Sequence, residues 1–253
     1  MRLFVREGIL VNAILQSLHD RKSVRAYADR PVEPEVKRAI LEAALQAPSA
    51  GNMTLYSIID VTDQKVKETL AVTCDDQPFI ARAPLVLVFC ADYSRWFSAF
   101  EAFCPETRRP SYGDFLLACC DALIAAQNAV VAAEALGLGS CYIGDIMERY
   151  ETHKELLRLP RYVAPVTMLC FGYPTEQQRR RQKPPRFRVE DIVHENRYEN
   201  RDMLRMVGER QGITGTAELQ HWFDAFRRRK WDSDFSVEMS RSVRAILADW
   251  TGE

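Results

Sequence analysis

One stretch limits what this chain can fold into more than any other. From Phe115 to Leu136 it reads FLLACCDALIAAQNAVVAAEAL, more than six helical turns that are apolar on nearly every side. A surface helix of a globular protein carries an apolar stripe and a polar face, and this one lacks the polar face. Its spacing predicts a helix capped by Asp114 and ended by Gly137. Such a helix is buried on all sides, either at the centre of its own domain or against a second subunit. Asp121, Gln127, Asn128 and Glu134 interrupt it, a density of polar groups that argues against a membrane span.

The 253 residues, 47% of them hydrophobic, suffice for one sizeable core, as one large domain or a domain with an appendage. A net charge of -1 gives no support to a general nucleic-acid or anionic-membrane role. The seven cysteines are odd in number and form no C-x-x-C, so neither a disulfide framework nor a zinc ribbon is expected. Cys90 and Cys170 sit in apolar runs, as buried free thiols do. The opening MRLFVREGIL has no long apolar core and no small-residue cleavage site, so a cytoplasmic location is expected. His19, His153, His194 and His221 are scattered without metal-ligand spacing, and no metal is expected.

Elements follow from pattern and punctuation. Val11 to Leu18 reads as a short amphipathic helix. Pro34 stands where a helix start tolerates proline, and Ala39, Ile40, Ala43, Ala44 and Ala47 keep helical spacing up to Pro48. Ser57 to Val61 reads as a strand, and Ala83 to Ala91 and Val166 to Gly172 as fully buried ones. Glu148 to Leu159 reads as a helix ending at Pro160. From Pro174 a basic, proline-bearing arm leads to helices around Leu204 and between Phe235 and Trp250. Alternating helices and strands place the chain in the α+β or α/β class.

Four polar segments stand out against this frame. Arg21-Lys22-Ser23-Val24-Arg25 carries three cations in five residues. Alone it reads as a solvated turn. Ala47-Pro48-Ser49-Ala50-Gly51-Asn52 follows a helix end. Gly137 to Asp145, GLGSCYIGD, has glycines that end a helix and lead into a strand, the reverse of the dinucleotide-binding order. Lys183 and Arg186 stand in a basic run near the exit. Two guanidinium forks, an ammonium and a hydroxyl could together grip a phosphate dianion if the fold gathered them.

Taken together these segments resemble the nitroreductase family, the dimeric FMN-dependent NAD(P)H oxidoreductases. The opening R-x-S-x-R followed by Tyr27, the P-S-x-x-N turn, the Tyr142-Ile143-Gly144-Asp145 segment and the closing Lys183, Arg186 with VHENRY at 193–198 carry the likeness. It implies an α+β fold, a mixed sheet flanked by helices in an intertwined homodimer, with FMN sites shared between subunits. It implies Arg21 and Ser23 at the FMN phosphate with Lys183 and Arg186, Lys22 as a further cofactor contact, and Arg25 at the N1–O2 edge. Ser49, Ala50, Gly51, Asn52 and Gln77 are implied as further flavin contacts. The backbone of Tyr142, Ile143, Gly144 and Asp145 is implied along the flavin edge at N5. No side chain is expected to act as acid or base, because the flavin carries the chemistry.

The family pattern continues with Gln, Pro and Trp where this chain has Thr54, Leu55 and Tyr56. That departure points to the branch of larger NADPH flavin reductases and oxygen-insensitive nitroreductases. In that branch a basic loop receives the 2′-phosphate of NADPH. Arg228 and Arg229, within RRRK at 227–230, stand in the corresponding region, and read equally well as solvated surface. Residues 1–200 are expected as the FMN-binding part and 201–253 as a helical extension. The expected activity is ping-pong transfer from NADPH or NADH to nitroaromatics, quinones or free flavin. A flavin-binding sensor without turnover, a reductive dehalogenase and a structural dimer remain as alternatives.

Overall fold

The computed structural model describes the backbone of residues 4–6 and 9–253 and the side chains from residue 12 onward. Residues 1–3 and 7–8, part of the opening read above for a leader, lie outside the described residues. A short antiparallel pair, β1 (Phe4–Arg6) and β2 (Ile9–Val11), leads into α1 (Ala13–Asp20), whose first amides are capped by Asn12 Oδ1 at 3.1 and 3.0 Å. Then come α2 (Pro34–Leu45), β3 (Tyr56–Asp60), α3 (Gln64–Thr73), α4 (Phe79–Arg82), β4 (Leu85–Asp92) and α5 (Ser94–Phe103). The long helix is α6 (Tyr112–Ala135), followed by β5 (Gly139–Ile143), α7 (Tyr150–Leu156) and β6 (Val163–Gly172). The chain closes with α8 (Glu176–Arg180), α9 (Val189–Ile192), α10 (Met203–Gln211), α11 (Thr216–Lys230) and α12 (Asp234–Thr251).

Four strands form the central sheet in the order β3-β4-β6-β5, all antiparallel. A parallel bridge between Ser23 and Ser140 adds the Arg21–Arg25 segment beside β5 and makes the pairing mixed. Strands β4 and β6 are buried along their whole length, which is why both read as predominantly apolar runs, with Asp92 and Thr167 as their polar members. Their side chains alternate between two cores. Leu85, Leu87, Phe89 and Ala91 face α2, α6 and Trp250, while Val86, Val88 and Cys90 face Leu70, Ile80 and Ile146. Each fully buried Leu, Val or Phe here is worth about 1.5–3 kcal/mol over its exposed state.

Helix α6 is one turn longer at its start than the sequence reading placed it. Ser111 is the cap, and Asp114 sits three positions in as the returning half of a capping box. Asp114 accepts from the Ser111 amide at 2.9 Å and holds the Arg108 guanidinium at 2.5 and 2.8 Å. The guanidinium holds its carboxyl below the usual range. Gly137, at φ +82°, follows the C-terminus in the left-handed conformation glycine adopts freely. Within a single chain the burial is one-sided. Ala118, Ala122, Ala125, Ala129 and Ala133 face the core, but Leu116, Leu117, Leu123 and Ile124 are exposed, Leu116 at 65%.

The chain divides into two compact units, residues 1–181 with 238–253, and residues 182–237. The boundary expected at 200/201 falls inside the second. In the first, the C-terminal part of α12 seals one core: Trp250 packs edge-on to Phe115 and Tyr162 at 5.0 and 5.7 Å between ring centroids. In the second, Arg188 holds Asp191 at 3.2 Å and Glu209 at 2.6 Å, and the Arg210 guanidinium lies 3.9 Å from the centre of the Phe187 ring.

Candidate functional site

The Arg21–Arg25 segment follows α1 and runs as an extended edge along β5. The Val24 amide donates to the Ser140 carbonyl at 2.9 Å. Close approach is possible because residue 139 is glycine: a β-carbon there would stand 2.7 Å from Val24 Cβ. Val24 is buried as the anchor, which turns Arg21, Ser23 and Arg25 to the other side of the extended chain. Farther along, the Ala28 amide donates to the Tyr173 carbonyl at 2.8 Å, and the Tyr27 ring packs over Gly172.

Arg21, Ser23 and Arg25 thereby come together with β5 and the turn after it. The Arg21 guanidinium lies 6.0 Å from the centre of the Tyr142 ring, and that of Arg25 lies 6.0 Å from the centre of Phe79. All three surround Cys141: burial pushes its thiol pKa up, and Arg25, Ser23 and Arg21 pull the other way. Burial likewise pushes Tyr142 up to about 12, against the nearby Arg21. The Tyr142 hydroxyl donates to Gln127 Oε1 at 3.1 Å, so one of the polar interruptions in α6 orients a site residue. Gln77 closes this group by donating to Asp145 Oδ2 at 3.1 Å. In front of Gly144 the space is open, since a β-carbon there would meet no atom within 4 Å.

A phosphate ester suits this cluster by its donors. Arg21 Nε is buried and has no acceptor within the protein. A buried guanidinium nitrogen without a partner is costly, and an anion would supply one. Lys22 is engaged differently. Its ammonium donates to the Arg179 and Arg181 carbonyls at 2.7 and 2.5 Å and ties down the end of α8. Lys183 and Arg186 lie in the second unit, in extended chain before α9.

Ser49, Ala50, Gly51 and Asn52 form a separate group around a residue the motif reading passed over as a mere interruption. Asp121, 3% exposed, accepts from the Ala50 amide at 3.0 Å and the Leu55 amide at 3.2 Å. Ser49 Oγ takes the Thr54 amide at 3.0 Å. Gly51, Asn52 and Thr54 all have positive φ, so the loop is a tight coil wound on one carboxylate. A carboxylate in an alanine-rich helix was the available signal, because a buried charge needs donors nearby. Leu55 and Tyr56, where the family pattern has ring contacts, are fully buried in the core at the start of β3.

Arg228 and Arg229 are exposed on the last turn of α11, where cations complement the helix dipole. Arg227 beside them is paired with Asp232. Among the described residues, no three His, Cys, Asp or Glu side chains are grouped so as to hold a metal ion.

Comparison with known proteins places this geometry. Residues 18–173 match the model of the nitroreductase family. The chain is 36% identical over 188 residues to the oxygen-insensitive NADPH nitroreductase of Salmonella typhimurium, covering 74% of this chain and 75% of that one. It is 37% identical over 196 residues to the NAD(P)H FMN reductase of Bacillus subtilis, covering 77% and 78%. The solved NADPH:FMN oxidoreductase of Vibrio harveyi complexed with NAD+ superposes with a TM-score of 0.76, covering 93% of this chain and 98% of that one at 26% identity. With the match spanning the Arg21–Arg25 edge, the coil on Asp121 and β5 alike, the chain belongs to the nitroreductase family.

Proposed function

We propose that this protein is an FMN-dependent NAD(P)H oxidoreductase of the nitroreductase and flavin reductase type. The observation that carries the reading is the placement of Arg21, Ser23 and Arg25 against β5, with a buried Arg21 Nε lacking an acceptor. FMN, when bound, supplies the two-electron chemistry at N5, between NAD(P)H and a small electron-poor acceptor in ping-pong order. Arg21 and Ser23 would bind its phosphate. Arg25 would hold the negative charge that reduction leaves on the N1–O2 edge. The open backbone at Gly144 and Asp145 would lie along the ring edge, with Gln77 beside it. Nitroaromatics, quinones and free flavin are the acceptors of this reading.

The site is shared between two copies in this reading. The 49–52 coil hangs on Asp121 rather than on the Arg21 cluster, so a second subunit would bring the two groups together. The exposed leucines of α6, with Ile14, Leu15 and Leu18 of α1, supply an apolar face for that contact. Seven free cysteines fit a reducing compartment, and we place the protein in the cytoplasm.

The test is a flavin spectrum. Purified protein should be yellow with bound FMN, and NADPH added without oxygen should bleach it. An acceptor such as a nitroaromatic should then restore the colour. Bound FMN that NADPH does not bleach would leave a flavin-binding protein without turnover, and protein that neither carries nor takes up FMN would overturn the reading.

A further inference from the structure

Gln77 uses both its amide donors inside the protein. Nε2 donates to the Cys74 carbonyl at 2.9 Å and to Asp145 Oδ2 at 3.1 Å. A carbonyl can only accept, so the amide cannot be flipped, and Oε1 is the end left for a ligand. The aim of Gln77 therefore depends on where Asp145 stands.

Asp145 in turn meets Glu148, one turn on, whose side chain bonds to it. Glu148 is 4% exposed, and its Oε1 is buried with no donor. Asp75 and Glu238 add further negative charge from the loop after α3 and from α12. The Cys74 thiol also faces it. Arg149, the next residue, gives its amide to Glu238 Oε1 at 3.0 Å. Beneath the turn, the buried His153 ring spans Ile146 O at 2.8 Å and Thr73 Oγ1 at 2.7 Å. The backbone is unusual here: Asp75, Asp76 and Arg149 all have positive φ, of 61°, 47° and 45°. Non-glycine residues hold that conformation only when the surroundings impose it.

Burial first, and then the neighbouring carboxylates, favour the neutral form of Glu148. An orphaned oxygen is tolerable on a neutral acid where it would not be on a carboxylate. We propose that Glu148 is a positioning residue for the reaction site: as a neutral acid it donates to Asp145, which holds Gln77 with Oε1 toward the flavin. Ionised Glu148 repels Asp145 and loosens Gln77. Burial first, and then the surrounding carboxylates, push the Glu148 pKa up to about 7, so the change falls near neutral pH. The inference rests on the reading of Gln77 as a flavin contact.

The experiment titrates FMN into flavin-free protein from pH 6 to 8.5, for the wild type and Glu148→Gln. Glutamine keeps a donor toward Asp145 at every pH, and the ratio of the two affinities cancels the ionisation of FMN itself. Equal affinities at pH 6 and a wild type several-fold weaker than the variant at pH 8.5 are expected. A ratio constant across the range overturns the proposal, including the case where Glu148→Gln is uniformly weak and Glu148 is merely structural. Failure of the wild type to bind FMN at any pH would instead overturn the flavin reading. Gln77→Ala adds a control, since without the amide the dependence on Glu148 should vanish.

Discussion

Gly139 and Val24 pack so closely that no side chain fits between them. A β-carbon on residue 139 would stand 2.7 Å from Val24 Cβ and 3.1 Å from its Cγ1. Those atoms belong to a buried residue in an extended chain and cannot swing aside. Gly139→Ala should therefore push the Arg21–Arg25 edge off β5 and spread the cations. FMN affinity should fall at least tenfold, with a loss of stability of about 1–3 kcal/mol. Flavin titration and denaturant unfolding read the two effects, and a variant that binds FMN normally would show that the edge does not set the site.

Asp121 organises the other half. Its carboxylate takes the Ala50 and Leu55 amides, so Asp121→Asn leaves one donor facing an amide NH2. Leaving a buried donor unpaired costs about 1–3 kcal/mol. Asp121→Asn should lower the unfolding midpoint and increase hydrogen exchange of the Ala50 and Leu55 amides above that of the sheet. Unchanged exchange at both amides would return Asp121 to an ordinary buried polar residue.

The buried strands were legible because burial on both faces writes itself as a nearly continuous apolar run, as in 85–91 and 166–172, and the long helix because its apolar spacing runs for over six turns. The helix boundaries were less so. Asp114 looks like a cap, yet Ser111 takes that place, since a capping box has two polar ends and sequence does not say which comes first. Helices α3, α5 and α11 were passed over, since each buries few side chains and carries a mixed polar pattern. Of the site, the Arg21–Arg25 edge was readable as a motif. The supports were not, because Asp121 and His153 act through contacts 66 to 80 residues away, and the burial of Glu148 leaves no mark in the local pattern.

Stability should depend on pH through two buried groups with opposite signs. Glu148 has its pKa raised from 4.5 to about 7 on folding. The folded state thus holds its proton more tightly, and this contribution is full below about pH 4.5 and lost as pH rises to about 7. His153 has its pKa lowered by burial, so its contribution is present above 6.5 and lost as acid protonates the unfolded chain. Glu148→Gln should remove the first effect. The wild type should lose about 1–3 kcal/mol relative to that variant between pH 5 and 8. Urea unfolding at each pH measures it, and parallel curves would mean that Glu148 titrates normally.

The exposed apolar face of α6 predicts the assembly. Leu123 and Ile124, at 46% and 41% exposure, lie with Leu116 and Leu117 on a helix whose other side is core. A charge there should leave the monomer folded while opposing its pairing. Leu123→Glu should shift light scattering from a dimer toward 29.0 kDa and weaken FMN binding with it. A wild type that scatters as a monomer while holding FMN would refute the shared site.

Cosubstrate choice is testable at the end of α11. Arg228 and Arg229 are exposed and lie at the helix C-terminus, where cations need no further role. A 2′-phosphate adds charge that distinguishes NADPH from NADH, and a cationic turn is what can reward it. If these arginines receive it, Arg228→Ala/Arg229→Ala should raise KM for NADPH about tenfold and leave KM for NADH little changed, with kcat intact for both. The chemical step is spared because the 2′-phosphate is at the far end of the cosubstrate from the nicotinamide. Steady-state kinetics with each cosubstrate decides the matter: an unchanged ratio of NADPH to NADH efficiency would make the pair a solvated helix end and send the search for the 2′-phosphate contact elsewhere.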